Sequence, residues 1–240
     1  MQMPDTLPDG DLPAELVQLR YSLPHLAKAL LGEAPVRIVA IGSSSTAGRA
    51  DVVPFPARLE MYLRARYGEE QFPNLRIDIL NRGKGGEEAI EELSRFDTDI
   101  FAEQPSMVIW QVGTNAVFHR ERYDIDKVAA TIGGGLERLR GRSMDVLLVD
   151  PQYVPAMLSD DKAELSERMV SLIAGVAAKA GVNVFRRWSL MRHWHVHNNI
   201  GFDRLFDPTD GDQLHQSDWS TRRFAQALCE AITKAPPTPV

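Results

Sequence analysis

Val36-Arg37-Ile38-Val39-Ala40-Ile41 runs directly into Gly42-Ser43-Ser44-Ser45-Thr46-Ala47-Gly48, and the reading of that junction decides the fold. The first six residues are short, apolar and rich in β-branched side chains, as a buried strand requires. The residues after it are small and hydroxylated, so the backbone can turn sharply at the strand's carboxyl end. In an open α/β sheet ligands sit at that end. Three consecutive serines also suit an ordinary loop or a helix N-cap, so the turn alone does not separate a nucleophile from a linker.

The pattern repeats outward from this junction. Leu75 to Leu80 alternates like a strand with one wetter face, near a sheet edge. Ser106 to Val112, Asp145 to Val149 and Val182 to Phe185 complete five strands. Helical spacing marks Pro56–Tyr67, Glu87–Arg95, Ile125–Arg140, Asp160–Ala180 and Ser217–Lys234. Ala14 to Leu31 reads as a leading helical arm that Pro24 breaks or restarts. Strand and helix alternate throughout, which predicts a parallel sheet covered on both faces, a three-layer α/β/α sandwich. The expected division is an arm over 1–35 packed on a catalytic domain over 36–234, with a Pro-rich tail over 235–240. Arg186 to Gly211, rich in His and Asn, resists assignment and reads as a long functional loop.

Composition narrows the function classes. The 240 residues carry 44% hydrophobic and 25% charged side chains, ordinary globular usage for one domain. A net charge of -6 without a cluster of Lys and Arg argues against a nucleic-acid partner. The lone Cys229 excludes an intrachain disulfide or a thiolate metal cluster, and fits a small buried hydrophobe in the last helix. No apolar run approaches the roughly 20 residues of a membrane span, so a soluble protein is expected. Met1 to Pro13 lacks the basic start and apolar middle of a secretory signal. The chain as written suits the cytoplasm, and a trimmed leader would suit the periplasm or secretion. Oligomeric state is not encoded in any feature of the sequence.

Three predicted strand ends carry loops of one character: Gly42–Thr46, Asn81–Gly86 and Gly113–Asn115. In a parallel sheet these ends share a rim, bringing a serine hydroxyl, bare backbone N–H groups and an asparagine amide together. Those are the parts of a nucleophile and an oxyanion hole. The missing base is found in Asp212-Gln213-Leu214-His215, just before the last helix, where an Asp three residues ahead of a His can fix the imidazole tautomer.

In these four blocks the chain resembles the SGNH, or GDSL-type, hydrolases over most of its length. Gly42-Ser43-Ser44-Ser45-Thr46 is similar to their Gly-Asp-Ser-x-Thr block, and Asn81-Arg82-Gly83-Lys84-Gly85-Gly86 to their Asn-x-Gly-x-x-Gly block. Gly113-Thr114-Asn115 and Asp212-x-x-His215 are similar to the third and last blocks. The resemblance implies a flavodoxin-like sheet, Ser44 as nucleophile, Asp212 and His215 as triad partners, and an oxyanion hole of the Ser44 and Gly86 N–H groups with the Asn115 side chain. It implies no cofactor. The family's Asp before the nucleophile is Ser43 here, which leaves the shaping of the turn to a hydroxyl and leaves Ser43 and Ser45 as rival nucleophiles. Thr46 at the matching place favours Ser44.

The expected activity is hydrolysis of a short-chain ester, an O-acetyl group on a saccharide among the candidates, through an acyl-enzyme. A small-molecule or saccharide ester is thus the expected partner. Lipase, thioesterase and acyltransferase chemistry on the same residues are alternatives, and so is an idle carbohydrate-binding module. His193, His195 and His197 at alternate positions would share one face of an extended segment, but no carboxylate or Cys completes a zinc set, so no metal is expected. Trp188 and Trp194 either stack on a sugar or acyl chain or pack in the core. Trp110 and Gln111 point to opposite sides of the third strand with no catalytic role. Arg49 is either a surface charge or a residue at the cleft border, and Lys84 suits a phosphate, without the spacing of a phosphate loop.

Overall fold

The computed structural model describes residues 10–49, 51–68, 75–159 and 162–237. The polar start over 1–9, the last tail residues 238–240 and the first two residues, 160–161, of the helix predicted from Asp160 lie outside the described residues.

Five strands, β1 Val36–Gly42, β2 Ile77–Gly83, β3 Met107–Gln111, β4 Asp145–Val149 and β5 Asn183–Phe185, form one sheet in the order β2-β1-β3-β4-β5. Every pairing is parallel, in registers such as Ile38 opposite both Ile79 and Met107. This is the flavodoxin-like order, in which the chain reverses its direction of travel between β1 and β3. β2 lies at an edge, as its half-wet alternation predicts. β3 lies at the centre and is buried at all five positions.

In chain order the helices are α1 Ala14–Val17, α2 Pro24–Leu30, α3 Ser44–Ala47, α4 Phe55–Gly68, α5 Ala89–Ser94, α6 Phe96–Asp99, α7 Thr114–Phe118 and α8 Ile125–Leu139. α9 Lys162–Ala180, α10 Arg187–Val196, α11 Phe202–Leu205 and α12 Asp218–Thr233 follow. α4 packs on α12 while α5 and α9 pack on α8, so helices cover both faces. Pro24 opens α2, where its missing N–H costs nothing, and so restarts the leading arm. Val17, Leu19, Leu23 and Leu26 of that arm join the same hydrophobic cluster as the strands. Each fully buried strand residue such as Ile38 or Ile41 contributes on the order of 1.5–3 kcal/mol through burial.

The stretch Arg186 to Gly211 departs from the sequence expectation: most of it is helix, α10 and α11, rather than one long loop. Asp150, at the end of β4, accepts the Trp188 N–H at 2.9 Å and so satisfies an amide in the first turn of α10. The buried Arg187 donates to the Asp150 carbonyl at 3.0 Å and to Gln216 Oε1 at 3.2 Å. One side chain thus joins β4, α10 and the segment after His215. Among the described residues no helix is long and apolar enough to cross a membrane.

Candidate active site

The carboxyl end of β1 is pressed into a very small space. A Cβ on Gly42 would lie 2.4 Å from Thr46 Oγ1 and 2.9 Å from Gln111 Oε1, so only glycine fits as the chain turns into α3. Ser43 is the extended residue before α3, and Ser44 is its first helical residue. The end of β2 forms the bed beneath: a Cβ on Gly83 would meet the Ala47 nitrogen at 2.1 Å. Asn81 ties the two together, donating to the Ala47 carbonyl at 3.2 Å and accepting the Gly83 N–H at 2.9 Å. The Lys84 N–H donates to the Gly42 carbonyl at 2.9 Å. The second sequence block therefore builds the floor of the serine turn, with the Gly-rich backbone beside it; a Cβ on Gly85 would stand 3.8 Å from that of Ser44.

The substitution at Ser43 is compensated. Its hydroxyl and its N–H both donate to Gln111 Oε1, at 3.0 and 3.1 Å, and the Thr46 hydroxyl approaches the same oxygen at 3.3 Å. Gln111 Nε2 in turn donates to Thr114 Oγ1 at 3.3 Å, whose hydroxyl donates to Gln152 Oε1 at 3.0 Å. Gln152 Nε2 donates to the Leu214 carbonyl at 3.1 Å. All five side chains are buried. A continuous run of hydrogen bonds thus reaches from the serine turn, under the third block, to the residue before His215.

His215 faces Ser44, with Nε2 at 2.8 Å from Oγ. The chain around it is pinned by an antiparallel bridge between Phe206 and Gln216 and by the Asp207 N–H on the His215 carbonyl at 2.8 Å. The carboxylate on the other side of the ring is Asp210, whose Oδ2 lies 2.7 Å from Nδ1, and not Asp212 as the spacing predicts. The reason is the tight turn between them. Asp210 accepts the N–H groups of Asp212, Leu214 and His215, and Gln213 adopts a φ of 53°. The chain therefore wraps around the buried Asp210 and leaves Asp212 exposed at the tip. Burial pushes the Asp210 carboxyl up, but the hydrogen bonds from the His215 N–H, Arg49 and the imidazole outweigh it and hold the group well below the usual carboxylate range. An ionised Asp210 at hydrogen-bond distance from Nδ1 requires the proton there, which leaves Nε2 free to accept from Ser44.

The third block is held from two sides. Asn115 is buried, and its Nδ2 donates to the Glu87 carbonyl at 2.7 Å, which fixes the amide plane. Glu88 accepts the N–H groups of Gly113 at 2.9 Å and Ala116 at 2.8 Å, on either side of Asn115, along with its own helix's Ala89 N–H. Gly86 lies exposed in the preceding turn at a φ of 78°. The Glu87 carbonyl and the Glu88 carboxylate together clamp Asn115 and the backbone on either side of it.

The remaining predicted positions fall elsewhere. Trp188 and Trp194 are buried, their indoles donating to Glu167 and to the Asp11 carbonyl, so both rings pack in the protein instead of lining a cleft. His193 and His195 sit on α10 and His197 caps its C-terminus, so the three do not form an extended segment. His193 and His197 lie one helical turn apart with ring centroids at 4.9 Å, while His195 stacks on Phe202 at 3.9 Å. Among the described residues no group of three or more His, Cys, Asp or Glu is placed to hold a metal ion. Cys229 is partly buried, and its thiol is pushed up to about 11 by burial.

The 2-1-3-4-5 parallel sheet and the family it matches make this an α/β protein of the SGNH-type hydrolase superfamily, as the four sequence blocks imply. Within that class the chain belongs to the non-GDSL lipase-like family, whose model matches residues 9–236. A search of the curated proteins found no match. Among solved structures the chain resembles a catalytic mutant of Axe2, an acetylxylan esterase from Geobacillus stearothermophilus, at 18% identity and a TM-score of 0.69, covering 84% of this chain and 96% of that one. A second variant of the same esterase gives a TM-score of 0.70 at 18% identity over 87% and 100% of the two chains. LAE5, an alpha/beta hydrolase enzyme from the metagenome of Lake Arreo, Spain, gives 0.67 at 18% identity over 83% and 98%.

Proposed function

We propose that this protein is a serine esterase that cleaves short-chain carboxylic esters, O-acetyl groups on saccharides among them. The observation that carries the reading is the line Ser44 Oγ to His215 Nε2 at 2.8 Å and His215 Nδ1 to Asp210 Oδ2 at 2.7 Å. His215 takes the hydroxyl proton as Ser44 Oγ attacks the ester carbonyl, and Asp210 balances the imidazolium that forms. The developing oxyanion is received by the N–H groups of Ser44 and Gly86 and by the Asn115 amide. His215 returns the proton to the leaving alcohol, water then attacks the acyl-enzyme with His215 again as base, and the acid leaves. The match to a lipase-like family and the likeness to an acetylxylan esterase support the ester and acetyl parts of this reading.

Labelling with a fluorophosphonate tests it. Wild type is expected to carry the adduct on Ser44, and Ser44→Ala to carry none and to lose turnover of p-nitrophenyl acetate and acetylated xylose. An unlabelled Ser44 in folded protein, or equal turnover by both proteins, rejects the reading. Chain-length and thioester panels and an acceptor-alcohol assay separate it from lipase, thioesterase and transferase alternatives. Asn115→Ala is expected to lower kcat about a hundredfold or more, the usual loss for one oxyanion donor.

A further inference from the structure

Arg49 lies five residues after Ser44, and its guanidinium forms an ion pair with Asp210 Oδ1. Asp210 thereby divides its two oxygens. Oδ2 serves the imidazole, the His215 N–H and the Leu214 N–H, at 2.7, 2.8 and 3.0 Å. Oδ1 takes Arg49 and the Asp212 N–H. The same guanidinium nitrogen stands 3.1 Å from His215 Nδ1, but with the ring proton directed to Asp210 that nitrogen has no lone pair to accept it. The bond Arg49 makes is therefore the one to the carboxylate.

We propose that Arg49 is a positioning residue of the catalytic triad, holding Asp210 in the rotamer that aims Oδ2 at His215 and tying the serine loop to the histidine loop. This rests on the esterase reading above. Ser44–His215 and Arg49–Asp210 are two ties between the same pair of loops, one through the reacting atoms and one beside them. Arg49 is itself anchored: the Val52 N–H donates to its carbonyl at 3.1 Å, and the Pro54 ring packs against Gly48. Its side chain is 39% exposed while that of Asp210 is 1% exposed, so the guanidinium also covers the carboxylate from water. The hydrogen bond and charge of Asp210, with smaller contributions from the charges of Asp207 and Asp212, raise the Arg49 basicity beyond its ordinary value. Without Arg49, Oδ1 keeps only the Asp212 N–H, no cation stands between it and two neighbouring acids, and the aim of Oδ2 at the imidazole rests on the backbone donors alone.

The test compares wild type, Arg49→Ala and Arg49→Lys for kcat and KM on p-nitrophenyl acetate, for fluorophosphonate labelling rate, for thermal midpoint and for the downfield NMR resonance of the His215 Nδ1 proton. Arg49→Ala is expected to lose about tenfold or more in kcat and labelling rate, the scale of a small misplacement of a catalytic group, with KM and thermal midpoint nearly unchanged. The downfield resonance is expected to broaden or vanish. Millimolar guanidinium is expected to restore part of the Arg49→Ala activity while leaving wild type and Ser44→Ala unchanged, and lysine to restore part of it without added cation. Unchanged kcat in Arg49→Ala, or a loss confined to KM, overturns the assignment, and so does a loss that guanidinium and lysine both fail to rescue. If wild type itself is neither labelled nor active, the esterase reading falls and takes this one with it. An active wild type with an unimpaired Arg49→Ala removes Arg49 alone.

Discussion

Asp210 and His215 are joined twice: one carboxylate oxygen takes both the ring Nδ1 at 2.7 Å and the backbone N–H of the same histidine at 2.8 Å. Such a pairing fixes the imidazole from the ring and from the chain together. Asp210→Asn is accordingly expected to reduce kcat by about a hundredfold to ten-thousandfold, because the amide favours the wrong tautomer. Asp212→Asn, which changes an exposed side chain, is expected to stay within about twofold. Steady-state kinetics of the two variants decide it, and a large loss in Asp212→Asn alone would return the role to the residue the spacing suggests.

Gln111 and Gln152 are expected to matter to catalysis without touching substrate. Gln152→Leu strands the Thr114 hydroxyl and the Leu214 carbonyl, and Gln111→Leu strands the Ser43 hydroxyl and N–H. Each loss of a buried partner costs about 1–3 kcal/mol of stability. Urea unfolding should show that cost. The labelling rate at Ser44 should fall as well, since one end of the chain of bonds is the serine turn and the other adjoins His215. A full stability loss with unchanged labelling would reduce the pair to ordinary core residues.

Gly83→Ala probes the floor of the site. The added methyl would stand 2.1 Å from the backbone nitrogen of Ala47, a rigid atom that cannot swing aside. α3 must move, and Ser44 with it. A loss of more than about 2 kcal/mol in unfolding free energy, together with loss of labelling, is the expected result. Gly85→Ala is the matched control, because its Cβ would stand in ordinary contact at 3.8 Å from Ser44 Cβ.

The sheet was legible because its evidence is local. β1, β3 and β4 are apolar runs followed at once by Gly or Asp (Gly42, Gly113 and Asp150), and a parallel sheet needs nothing more to place its carboxyl ends on one rim. Ser44 and Asn115 were legible for the same reason, each standing just past such an end, whereas His215 was legible only from the Asp-x-x-His spacing ahead of the last helix. What stayed hidden depends on partners distant in sequence. The amide in the first turn of α10 is satisfied by Asp150, 38 residues away, so its helix looked like a loop. Asp207, Asp210 and Asp212 all precede His215 within eight residues, and only the turn at Gln213 selects among them. Gln111 and Glu88 carry no motif; their roles exist only once β1, β3 and α5 are assembled.

Two buried acids, Glu88 and Glu92, stand one helical turn apart at the start of α5. Burial raises both Glu88 and Glu92, and the charge of Glu88 raises Glu92 further. Their surroundings separate them. Glu88 accepts three backbone N–H groups, which suit an ionised carboxylate, whereas Glu92 accepts only the Trp110 indole at 2.6 Å, and its Oε1 is buried with no partner among the described residues. Glu92 is therefore the member that holds the proton. A folded-state value above the unfolded one means that the folded protein binds the extra proton, so this group's contribution is full at low pH and is lost as pH rises above the ordinary carboxylate range. Glu92→Gln keeps an acceptor for Trp110 and has no proton to lose. Its stability relative to wild type should be higher at pH 9 than at pH 5 in urea titrations. Glu88→Gln puts an amide NH2 against backbone donors and should be destabilised at both pH values, with a lower kcat from a loosened Asn115. A Glu92→Gln protein that loses stability as pH rises, or a Glu88→Gln protein as stable as wild type, would reverse the assignment of proton and charge.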